Sequence, residues 1–174
     1  MQRAPSLQNA HPPVTACFRQ GGGFRVQWGF QLLELLIALA VISVLTMVAI
    51  PAYTDHRDKV NNAIAAGDIA SIVQKIERFY TENNHYPDNL NEVGMGNLQD
   101  PWGNNYYYLR INGANLKGKG SLRKDKSLVP INSDYDLYSS GKDGATKAPL
   151  TAKDSHDDII RANNGKFIGL AEDY

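Results

Sequence analysis

The chain has 174 residues, about one domain's worth, and its 18 Lys and Arg balance its 18 Asp and Glu, so no global basic field marks a nucleic-acid binder. The single cysteine, Cys17, excludes both an intramolecular disulfide and a Cys-rich zinc site. Hydrophobic residues make up 43% and charged residues 21%, and the two kinds are segregated along the chain.

Residues 1–29 carry Arg3, Arg19 and Arg25 and no acid, which leaves 15 basic and 18 acidic side chains for the remainder. An apolar run follows, FQLLELLIALAVISVLTMVAI over residues 30–50, with Glu34 as its one charge. As a helix, residues 32–50 would extend ~28 Å at about 1.5 Å per residue, close to the hydrocarbon thickness of a bilayer. After Pro51 the composition turns polar and no second apolar run occurs. The three Arg before the run predict a cytoplasmic N-terminus and a head on the far side of the membrane. A cleaved secretory signal is the alternative. Against it stand the length of the run and Pro51, which interrupts the small-residue pattern of Ala49-Ile50-Pro51-Ala52. Glu34 fits neither a plain anchor nor a plain signal, because a carboxylate inside a spanning helix costs ~2.5–3.5 kcal/mol and so needs a partner.

Beyond Pro51, apolar residues at Tyr53, Val60, Ile64, Ile69, Ile72, Val73, Ile76 and Phe79/Tyr80 mark one stripe of an amphipathic helix that continues the anchor for about 50 residues in all. Asn83-Asn84-His85-Tyr86-Pro87 stops it, and His85, with no second ligand nearby in the sequence, is a turn residue. Leu90, Val93, Met95 and Leu98 pack a short loop, and Asp100-Pro101-Trp102-Gly103 is a turn. Alternation predicts strands at 106–111 and 134–139, with an exposed hairpin loop from 113 to 126 between them. The predicted class is α+β, a long helix on a small antiparallel sheet.

Catalysis has little support. The chain lacks G-x-S-x-G, H-E-x-x-H and the Gly-rich phosphate loops. Asp134 and Asp136 share one face of a strand, but a carboxylate pair without a cleft is weak evidence for acid-base work. A non-enzyme is expected.

Gly29-Phe30-Gln31-Leu32-Leu33-Glu34-Leu35 resembles the class III signal of type IV pilins and type II secretion pseudopilins. The later order N-x-x-Y-P, D-P-W-G-N and D-L-Y-S-S-G-K-D-G is similar to the major pseudopilins. This resemblance implies a type IV pilin-like fold: a leader at 1–29, a transmembrane and polymerisation segment at 30–51, and a periplasmic head at 52–174. It implies a prepilin peptidase that cuts between Gly29 and Phe30 and methylates the new amine. In the filament, Glu34 would meet the Phe30 amine of a neighbour, and Pro51 would fall where the family has a helix-kinking proline. Expected partners are copies of this chain, minor pseudopilins, an inner-membrane assembly platform and inner-membrane lipid; nucleic acid enters only if the chain is instead a type IV pilin serving adhesion, motility or DNA uptake. The resemblance also implies a C-terminal calcium loop, with Asp143, Asp157, Asp158, the Ser140 carbonyl and a Ser155 oxygen as ligands to a cation that takes about 6–8 oxygens. The alternative for these acids is a solvated surface loop.

Overall fold

A computed structural model describes residues 28–174, apart from 117 and 119; Cys17 and most of the expected leader lie outside the described residues. One helix, α1, runs Trp28–Asn83 and continues through Pro51. The missing N–H of Pro51 removes one helical hydrogen bond, and the Thr54 hydroxyl donates to the Pro51 carbonyl at 2.8 Å. Helix-forming Leu, Ala and Met on the N-terminal side, and Lys, Gln, Glu and Ala further on, support the helix from either side of the proline.

The chain divides into two compact units, Met1–Leu45 and Thr46–Tyr174. In the first, every described side chain from 31 to 45 is exposed. Its large apolar residues, Leu32 to Leu45, are 53% to 67% exposed, a continuous greasy surface that the unit does not cover itself. The helix from Gln31 onward contains a segment long and apolar enough to cross a membrane.

In the second unit the helix buries Ala65, Ile69, Ile72 and Ile76 completely, a narrow stripe at three- and four-residue spacing. Full burial of each isoleucine contributes about 1.5–3 kcal/mol of transfer free energy. This stripe is shifted from the predicted one. Tyr53, Val60 and Ile64 stay 44% to 64% exposed, and small Ala65 lies inward instead. Gly67 leaves the helix unbroken. Asn84, at φ 60°, ends it in the left-handed region that Asn tolerates.

The sheet has four antiparallel strands in sequential order: β1 (Tyr107–Arg110), β2 (Tyr135–Ser139), β3 (Ile159–Ala162) and β4 (Phe167–Leu170). The first two fall where alternation predicts them; β3 and β4 complete a meander that alternation alone does not reveal. The two faces of the strands separate two cores. Tyr135, Leu137 and Ile159 pack with the helix stripe, Leu90 and Tyr106. Ile160 and Ala162 lie in a second cluster with Ile131, Leu150 and Ala171. Residues 113–126 correct the expectation of an exposed loop, because Leu122 and Arg123 are buried, at 4% and 2% exposure.

Three side chains on the helix flank accept hydrogen bonds from the rest of the head. The Lys142 ammonium reaches Asp58 at 2.6 Å, the Tyr106 hydroxyl reaches Asp68 at 2.9 Å and the Tyr135 hydroxyl reaches Glu77 at 3.2 Å. Burial and the adjacent carboxylates push both phenols well above their usual range, so they remain donors.

Candidate assembly helix and C-terminal loop

Glu34 is exposed on α1, among the exposed Leu32, Leu33, Leu35 and Leu36. The backbone of Gly29 and Phe30 is helical. Such a surface needs lipid or other helices to cover it, and an acid within it needs a cation from outside its own helix turn.

In the head, the two specific motifs of the sequence meet. Asp100 is buried and caps its own turn, accepting the Trp102 and Asn104 N–H groups at 3.0 and 2.8 Å, while Gly103 donates to the Asp100 carbonyl at 2.9 Å. The other Asp100 oxygen accepts the Ser139 hydroxyl at 2.5 Å, and Ser139 Oγ accepts the Gly141 N–H at 3.1 Å. Asn104 Nδ2 donates to the Gly141 carbonyl at 3.2 Å. The D-P-W-G-N turn thus clamps the start of the S-S-G-K-D-G loop.

The five residues expected to bind calcium lie along this loop and its return, and each has its own arrangement. Asp143 Oδ1 accepts the Ala145 N–H at 2.8 Å, an Asx turn on an exposed tip. Asp157 Oδ2 accepts the Asp143 N–H at 2.9 Å, closing the loop across 14 residues. Ser155 Oγ accepts the Lys147 N–H at 2.9 Å and donates to the Lys147 carbonyl at 2.8 Å. Ser140 is buried, and its hydroxyl and Asp158 Oδ1 have no hydrogen-bond partner among the described residues. Asp158, fully buried, accepts at Oδ2 from the Arg123 guanidinium at 2.5 Å and from the Thr146 hydroxyl at 2.7 Å. Burial pushes the Asp158 carboxyl up to about 6, against the opposing pull of Arg123.

Two orphaned oxygens, Asp158 Oδ1 and the Ser140 hydroxyl rather than the Ser140 carbonyl expected as ligand, are of the right chemistry for a hard cation. The remaining expected ligands are oxygens of suitable kind but are engaged separately: Asp143 Oδ1 and Asp157 Oδ2 by backbone N–H groups, Ser155 Oγ by Lys147, and Asp158 Oδ2 by a guanidinium. Among the described residues, no three His, Cys, Asp or Glu gather as a metal cage. The arrangement as it stands does not fit the expected calcium site.

Arg123 is a site residue with no motif to announce it. Its Nη1 donates to Thr146 Oγ1 and to the Lys147 carbonyl, both at 2.7 Å, and its backbone N–H reaches Asp136 Oδ2 at 2.8 Å. The guanidinium carbon lies 4.3 Å from the Tyr138 ring centre. Asp136 is further held by Asn132 at 3.0 Å. Asp134 is engaged by Arg161. Both members of the strand carboxylate pair are therefore committed to neighbours inside the head.

A long apolar helix followed by a small antiparallel meander, with the helix's N-terminal half uncovered, is a type IV pilin-like fold. Residues 51–119 match the family model described as type IV minor pilin ComP, DNA uptake sequence receptor. The chain is similar to type II secretion system core protein G of Pseudomonas aeruginosa, at 27% identity over 141 residues that cover 69% of this chain and 87% of that one. The same protein of Escherichia coli K12 is 26% identical over 139 residues, 68% of this chain and 83% of its own. A fimbrial protein of Neisseria meningitidis serogroup A is 27% identical over 157 residues, 82% and 89% of the two chains. No solved structure matches. The pseudopilin resemblance drawn from the sequence thus recurs in the similarity to several core proteins G, and the type IV pilin alternative has support of its own.

Proposed function

We propose that the chain is a structural subunit of a type II secretion pseudopilus. The observation that carries this reading is the exposed apolar surface of α1 between Leu32 and Ile50, whose one charge is the carboxylate of Glu34 and which is joined to a head with cores of its own. Before assembly, lipid covers that surface, with the N-terminus cytoplasmic and the head periplasmic. A prepilin peptidase cuts after Gly29, and the new Phe30 amine is methylated. An assembly platform then extracts the helix, and copies of this chain replace lipid with one another's α1. In the polymer each Glu34 neutralises a neighbour's Phe30 amine, an ion pair in low dielectric that also sets the axial register. Pro51 lowers the cost of local unwinding where the packed segment gives way to the head. Growth of the filament, capped by minor pseudopilins, moves exported proteins across the outer membrane.

The test is a sheared-filament assay with Glu34→Leu. This variant should enter the membrane at least as well as the unaltered chain, because a buried acid costs ~2.5–3.5 kcal/mol, yet yield few filaments. Undiminished polymer from Glu34→Leu overturns the pairing.

A second reading is favoured by one observation, the match of residues 51–119 to a family described as a DNA uptake sequence receptor. In that reading the same anchor carries a type IV minor pilin whose head binds DNA. Duplex DNA retained by the purified chain, with affinity falling steeply as salt rises, would favour the pilin; exoproteins stranded in the periplasm of a deletion strain would favour the pseudopilin.

A further inference from the structure

We propose that Arg123 fills the role of a structural cation for the C-terminal loop, so that the head holds residues 140–158 in place without a divalent metal ion. The loop closes where Asp157 returns beside Gly141 and Asp143, and a Cβ at Gly141 would lie only 2.2 Å from the Asp157 carbonyl oxygen. A carboxylate as fully buried as that of Asp158 needs a compensating positive charge. Arg123 supplies it from a segment outside the loop. Its planar fork reaches three oxygens at once: Asp158 Oδ2 at 2.5 Å, Thr146 Oγ1 at 2.7 Å and the Lys147 carbonyl at 2.7 Å. These are the kinds of oxygen a calcium ion would gather, a carboxylate, a hydroxyl and a carbonyl.

The guanidinium is itself held fast. Its backbone N–H is bound to Asp136, Lys124 pairs through its backbone with Ala148 and Leu150, and Tyr138 covers the cation. Asp158 is fully buried and Arg123 is 2% exposed, so the pair sits out of reach of solvent screening. A doubly charged ion approaching Asp158 would meet a fixed guanidinium of like sign. The inference concerns the head alone and applies to a pseudopilin and a pilin equally.

The test uses the full-length chain in detergent micelles, melted by near-ultraviolet circular dichroism and probed by hydrogen exchange in millimolar calcium chloride or in EGTA. The expected result is the same melting temperature, within about 1 °C, and the same protection of residues 140–158 in both. A calcium-dependent rise of several degrees, the size that mass action gives an ion in hundredfold excess over its Kd, overturns the proposal. Arg123→Gln should melt roughly 10 °C lower and lose protection first at 140–158, with Arg123→Lys intermediate because it keeps the charge and loses the fork. An Arg123→Gln chain as stable as the unaltered one overturns the assignment to Arg123. If that variant does not fold, the calcium comparison on the unaltered chain decides the question alone.

Discussion

Arg161 grips Asp134 with both arms of its guanidinium, Nη1 to Oδ1 at 2.9 Å and Nη2 to Oδ2 at 2.5 Å, and stacks 4.0 Å over the ring of Tyr135. Both side chains are nearly buried, and Nη1 also reaches the Tyr135 carbonyl at 3.2 Å. The pair staples β3 to the start of β2 beside the main core. Arg161→Leu alone strands a buried carboxylate and should cost about 3–5 kcal/mol. The double change Arg161→Leu with Asp134→Leu should recover much of that loss. A urea-unfolding double-mutant cycle measures the coupling, and strictly additive losses would contradict the pairing.

The two faces of the helix in the head should respond differently to truncation. Ile72→Ala opens a cavity in the fully buried stripe and should cost roughly 2–5 kcal/mol. Ile64→Ala, at a residue 49% exposed, should cost well under half as much in the isolated chain. Denaturant midpoints of the two variants give the comparison directly; equal losses would mean that Ile64 is covered.

Two glycines give opposite expectations. Gly67 lies in α1 with nothing within 4 Å of where an alanine methyl would stand, so Gly67→Ala should stabilise by about 0.5–1 kcal/mol through helix propensity. Gly141 has φ +65°, and an alanine methyl there would strike the Asp157 backbone at 2.2 Å, so Gly141→Ala should destabilise and expose the 140–158 loop to proteolysis. Melting temperature and the site of first cleavage report both.

The pH dependence follows from Asp158. Burial raises its carboxyl from 3.8 to about 6, so between those values the folded chain holds a proton that the unfolded chain has released. This group therefore makes stability fall as pH rises from about 4 to about 6, and contributes no further change above that window. Asp158→Asn should remove this fall from a plot of urea midpoint against pH, whatever the variant's absolute stability. An unchanged slope across the window would show that Asp158 titrates alike in both states.

Legibility followed the range of the interaction. The long helix, its stop at Asn84 and the Asp100 turn are readable because periodicity, helix-ending residues and turn residues act within a few positions of one another. The apolar run with Glu34 likewise announces an uncovered surface, since a segment with a single charge has no polar face to turn to water. Strands β3 and β4 are weaker signals: at four residues each they carry little alternation, and the polar Asn163-Asn164-Gly165 turn between them is short. The cation beside Asp158 is beyond the sequence altogether. Arg123 stands 35 residues away in a stretch rich in Gly and Lys, where an arginine reads as a solvated surface charge. Only the packing of Arg123 over Tyr138 and against Asp158 removes water from the guanidinium, and burial is what turns a surface charge into a structural one.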